Sequence, residues 1–145
     1  MNQERYAQEA CRWLKQADAD VAAASNSIVS KNFEWAAFQS QQAAEKAVKA
    51  LWYKEGRDPW GHSIVRLVQD FPSAEKYPAL RNVLDEAKRL DKLYIPTRYP
   101  NGLPDMIPAE VFTLEEAQAA VASARTIIDF IHTCITQQIP RGHVS

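Results

Sequence analysis

Where proline and glycine do not occur constrains this chain most. Residues 1–55 and 109–139 contain neither, whereas every proline except Pro140 falls between residues 59 and 108. Proline removes a backbone donor and glycine costs about 1 kcal/mol inside a helix, so their absence over long stretches permits continuous helices. Two helical arms flanking an interrupted middle are therefore expected. In the first arm Trp13, Leu14, Ala17, Val21, Ala24 and Ile28 recur at helical steps, an apolar stripe on a helix of roughly 25 residues. "SKNFEW" then turns the chain, and a second helix from about Glu34 to Glu55 carries Trp35, Phe38, Ala44, Val48, Leu51 and Trp52 before Gly56 caps it.

The middle reads as a short helix in "HSIVRLVQDF", then an amphipathic helix in "YPALRNVLDEAKRLDKLY" that ends before Pro96. The last arm opens on "TLEE", where Thr113 and Glu116 have the spacing of a capping box. Strand alternation and internal repeats are absent. The expected fold is all-α: an up-and-down antiparallel bundle of four main helices plus one short helix, with one domain over 1–138 and a tail over 139–145. Alanine-rich faces such as "ADADVAAAS" and "EEAQAAVASA" permit close interhelical approach.

Composition narrows the function classes. Seventeen Lys and Arg against eighteen Asp and Glu leave a net charge of -1, so any anion site must be local rather than global. No apolar run suits a membrane span and the N-terminus lacks the features of a signal peptide, so a cytoplasmic location is expected. Cys11 and Cys134 are far apart and show no zinc-ligand spacing, so both are expected to be buried, with neither metal nor cofactor implied.

Three polar features remain. Gln42, Lys46 and Lys49 share a face of the second helix, and Glu45 stands at ion-pair spacing from Lys49. That face reads either as solvated surface or as a polar stripe turned toward a cleft. Arg57 and His62 in "RDPWGH" have the spacing of a pair that could serve acid–base work on a phosphate, or they simply belong to a loop. Trp60 in the same loop is either an interface residue or part of the core. In "YIPTRYPNGLPD" Arg98 stands between Pro96 and Pro100 with Tyr94 and Tyr99 nearby. It could meet a phosphate or a base, or pair with a carboxylate such as Glu45 beneath buried tyrosines.

In order and spacing, "FEWAAFQSQQAAEKAVKALW", the glycine turn with His62, "LDKLYIPTRYP" and "FTLEEAQAAVASARTIIDFI" resemble the HEPN domain family, in particular its sacsin-type and standalone bacterial members, across about residues 5–135. The resemblance implies an all-helical bundle that pairs into a homodimer and binds a nucleotide of GTP or ATP type. It also implies, in toxin-like members of toxin–antitoxin systems, metal-independent cleavage of RNA, and for standalone members a minimal nucleotidyltransferase partner. The family's polar pattern falls on Glu45, Lys46, Lys49, His62, Tyr94, Arg98 and Tyr99. The ribonuclease branch carries its arginine and histidine late in the bundle. Here Arg57 and His62 follow the second helix and no histidine follows Arg98 in "PNGLPDMIPAEVF", so the resemblance favours binding over cleavage.

Overall fold

A computed structural model describes residues 1–137. The first helix, α1 (Gln3–Val29), starts where the Asn2 side chain accepts from the Arg5 amide. A turn through Lys31 at φ 63° leads into α2 (Phe33–Lys54). Gly56 at φ +73° ends α2, with its own amide donating to the Tyr53 carbonyl and the Arg57 amide to that of Trp52. This is the glycine stop expected from the sequence, in the left-handed region that side chains resist.

Helix α3 (Ile64–Gln69) is short, as expected. The next expected helix is broken in two. Residues Pro78–Val83 wind as a 3-10 helix and only Leu84–Asp91 form the α-helix α4. In 3-10 geometry residues three apart eclipse, which puts Leu80 and Val83 together into the core. After Asp91 the chain passes through turns to Pro100 rather than remaining helical to Tyr94. A single helical turn, α5 (Pro108–Val111), precedes α6 (Leu114–Gln137). At the start of α6 the predicted capping box closes: the Glu116 amide donates to Thr113 Oγ1 at 3.1 Å and the Thr113 amide to Glu116 Oε1 at 3.0 Å. The expected tail, 139–145, lies outside the described residues.

Side-chain ties give the helix directions. Ser27 reaches Gln39 and Lys46 reaches Asp20, so α1 and α2 are antiparallel. Arg125 reaches Ser25 and His132 reaches Asp18, so α6 also opposes α1. Leu51, Ile64, Leu67, Leu90, Ile127 and Ile131 fill the centre, and Ala17, Ala24, Ala44, Ala47, Ala120 and Ala124 let the helices approach closely. No described helix is long and apolar enough to cross a membrane.

One burial expectation fails. Cys134 is buried, and desolvation pushes its thiol up to about 11, but Cys11 is exposed. The buried stripe of α1 runs Ala10, Leu14, Ala17, Val21, Ala24, and Cys11 lies one residue, or about 100°, off that line. At the far end of α2, Glu55 accepts from Lys76 and from the Tyr77 hydroxyl, both at 2.7 Å. Burial alone would raise the Glu55 carboxyl, but these two hydrogen bonds hold it below its ordinary range, while burial and Glu55 together push the Tyr77 phenol up.

Candidate functional site

Helix α2 lies between α1 and α6, so its polar residues cannot all reach water. Ser40, Gln41, Glu45 and Lys49 are buried. Of the stripe read from the sequence, Lys49 is buried while Gln42 and Lys46 are half-buried, so it is not a simply solvated face. Glu45 is the hub: its carboxylate meets Lys49 Nζ at 3.1 Å, His62 Nδ1 at 3.2 Å and Gln41 Nε2 at 3.2 Å. Gln41 also donates to the His62 carbonyl at 3.3 Å and accepts from Gln42. Lys49 sits 5.6 Å from the ring centre of Trp13. A charge this deep needs both a counterion and hydrogen bonds, and the α2 sequence supplies them one turn apart.

His62 leads from this buried hub to the surface. Its side chain is 60% exposed and its ring stacks on Tyr94, with centroids 5.0 Å apart and an 18° interplanar angle. A proton on Nδ1 makes the Glu45 contact a hydrogen bond and leaves Nε2 able to accept. Tyr94 in turn carries Arg98, whose guanidinium carbon lies 4.6 Å from the Tyr94 ring centre, 4.3 Å from Phe38 and 5.2 Å from Tyr99. Arg98 Nε and Nη2 donate to the Tyr94 carbonyl at 2.9 and 2.5 Å. The expected alternative pairing of Arg98 with Glu45 does not occur. Glu45 is committed to Lys49 and His62, and among the described residues no carboxylate pairs with Arg98. Nor are the tyrosines sealed: Tyr94 is half-buried and Tyr99 is 47% exposed.

The sequence-derived residues therefore divide. Glu45, Lys49, His62, Tyr94, Arg98 and Tyr99 form one continuous run of contacts. Lys46 faces α1, pairs with Asp20, and lines a groove of about 500 Å³ with Trp13 and Lys15. Arg57 does not join His62 among the described hydrogen bonds. It lies with Asp58 beside Tyr6, whose phenol is pushed up by desolvation and by Asp58 while Arg57 works in the opposite sense. Trp60 is 88% exposed, which settles it as a surface residue.

Two contributors escape a reading of the sequence. Phe38 looks like a core position on α2 yet is half-buried beneath Arg98. Asp91, at the end of α4, accepts from Ser63 Oγ at 2.7 Å, the Ile64 amide at 2.7 Å and the Val65 amide at 3.1 Å. This ties the start of α3, directly after His62, to a point one turn before Tyr94. The available signal was electrostatic: an aspartate in the last turn of its own helix opposes that helix's dipole, which favours its serving the N-terminus of another.

The HEPN domain family model matches residues 10–134. Human sacsin is 29% identical in an alignment 138 positions long that covers 90% of this chain but only 3% of sacsin, so the chain spans a small fraction of that relative's length. Among solved structures, a protein from Thermus thermophilus aligns with a TM-score of 0.80 and 39% identity over 86% of this chain and 97% of that one. An archaeal HEPN homologue gives a TM-score of 0.72 and 34% identity over 87% and 97%. An HEPN domain protein from Thermotoga maritima gives 0.67 and 28% over 88% and 99%.

Proposed function

Because the chain belongs to the HEPN family, whose model covers residues 10–134, we propose that it is a homodimeric binding module that holds a nucleotide or another phosphate-bearing ligand at Arg98. The observation that carries this reading is the state of that arginine. Its guanidinium is fixed by a backbone carbonyl and three rings, yet no carboxylate neutralises it among the described residues. Of five N–H donors two are used, and the others can bind phosphate oxygens with little side-chain ordering left to lose. His62 supplies a second polar group one ring away. Lys49 neutralises Glu45, so the hub adds no net negative charge against an incoming anion.

ATP and GTP are expected to raise the melting temperature of the wild-type protein with the logarithm of ligand concentration once that concentration exceeds the dissociation constant. In Arg98→Ala the shift disappears while the helical circular-dichroism spectrum is retained. An undiminished shift in that variant would refute the site. The competing reading is RNA cleavage by Arg57 and His62, which are not hydrogen-bonded to each other among the described residues. Single-stranded RNA incubated with wild type and with His62→Ala separates the two: cleavage lost only in the variant reverses the ranking. A nucleotidyltransferase partner would be served by the same surface.

A further inference from the structure

We infer that the recess between Trp60 and His62 is a nucleobase subsite, an inference that rests on the phosphate-binding reading above and extends it to the other half of the ligand. The recess has a volume of about 300 Å³, and its walls include Trp52, Trp60, His62, Arg66 and Asp70. That volume is at the lower end of what small-ligand sites use.

Trp60 is the first reason. It is 88% exposed, the most exposed of the large hydrophobic side chains among the described residues. The turn that presents it is set by Pro59 before it and by Gly61 after it at φ +88°, so the backbone and not chance rotation of a loop puts the indole at the mouth of the recess. An indole so placed offers a broad π-face to any flat heterocycle without sequence or base preference.

The rim is the second reason. Arg66 Nε meets Asp70 Oδ2 at 3.3 Å, with side chains 75% and 57% exposed. An exposed i, i+4 pair of this kind is weak in water and opens at little cost. Once open it presents a planar donor and a carboxylate acceptor, the complement of the mixed donor and acceptor edge of a base. The inner wall is less available: Trp52 Nε1 is already committed to the Leu67 carbonyl at 3.0 Å, so Trp52 contributes ring surface only.

Continuity is the third reason. His62 belongs to both features: it lines the recess and stacks on Tyr94, which carries Arg98. The recess is thus linked to the guanidinium through His62 and Tyr94, whose ring centres are 5.0 Å apart, with the Arg98 guanidinium carbon 4.6 Å from the Tyr94 ring centre. The base could come from a free nucleotide or from single-stranded RNA, and stacking chemistry is shared by both.

The test uses the exposed indole as its own reporter. Adenosine and guanosine monophosphate, and the phosphate-free nucleosides, are titrated into the full-length protein while tryptophan fluorescence is followed. Quenching is expected in wild type and is retained in Arg98→Ala with nucleosides; Trp60→Phe and Trp60→Ala lack the reporter, so their affinities are read by isothermal titration calorimetry, with binding retained in Trp60→Phe. The mononucleotides should bind Trp60→Ala about five- to hundredfold more weakly, the scale of one lost base–aromatic stack. Circular dichroism of Trp60→Ala should match wild type, since the removed side chain is almost wholly in water. A single-stranded oligoribonucleotide that displaces the mononucleotide at lower concentration per base identifies RNA as the source of the base, and its failure to do so identifies a free nucleotide. Unchanged mononucleotide affinity in Trp60→Ala overturns the subsite. If inorganic tripolyphosphate still shows Arg98-dependent stabilisation in that case, the phosphate reading survives without it. If neither tripolyphosphate nor any nucleotide binds, both fall together.

Discussion

Lys49 keeps only 8% of its surface in water and depends on Glu45, with the Trp13 ring as a secondary support. Replacing one member of such a pair leaves the other charged without a counterion, which costs more than the intact pair contributes. Glu45→Gln should therefore destabilise the fold by about 3 kcal/mol in urea unfolding, whereas Glu45→Met combined with Lys49→Met should recover most of that loss. A double variant no more stable than the single one would contradict the ion-pair account. The i, i+4 spacing of Glu45 and Lys49 was legible in the sequence, and so was the unusual setting of Arg98. Their surroundings were not. Whether Arg98 meets Glu45 or the Tyr94 carbonyl depends on how far α2 stands from the 92–99 turns, a distance that no local pattern encodes.

At the scale of elements, helix ends were the most readable features. The Thr113–Glu116 box and the Gly56 stop were both expected and both form, because capping involves groups within a few residues of each other. The 3-10 winding of Pro78–Val83 was not foreseen, since Leu80 and Val83 serve a helical stripe equally well in either geometry. Asp91 belongs to this scale too, for it fastens α3 to α4 across a gap of more than twenty residues in sequence. Asp91→Ala should cost about 2 kcal/mol, the scale for losing charge-assisted bonds to buried amides, and Asp91→Asn should lose less. The same alanine variant should loosen the His62–Tyr94 stack, seen as a change in the ring-current shift of the His62 protons by NMR. A full stability loss with an unchanged histidine spectrum would show that Asp91 supports α3 alone.

For the whole molecule, the proposed homodimer needs a surface that gains by leaving water. Trp35, Ile95 and Tyr99 are each nearly half exposed around the Arg98 platform, and burying such side chains against a second copy is worth roughly 25 cal/mol per Å² of apolar area. Ile95→Glu should convert a dimer measured by light scattering into a monomer with unchanged helicity; a wild-type monomer at binding-assay concentrations would remove the dimer from the proposal. The sequence alone determined the all-helical class, the long arms and their caps, because periodicity and capping are local properties of the chain. Tertiary structure alone decided that Gln41, Glu45 and Lys49 of α2 are enclosed, and that Lys46 faces α1 while Lys49 faces the Glu45 hub. A stripe of Gln, Glu and Lys at helical spacing looks the same whether it meets water or a neighbouring helix. Only the placement of α2 between α1 and α6 encloses Gln41, Glu45 and Lys49.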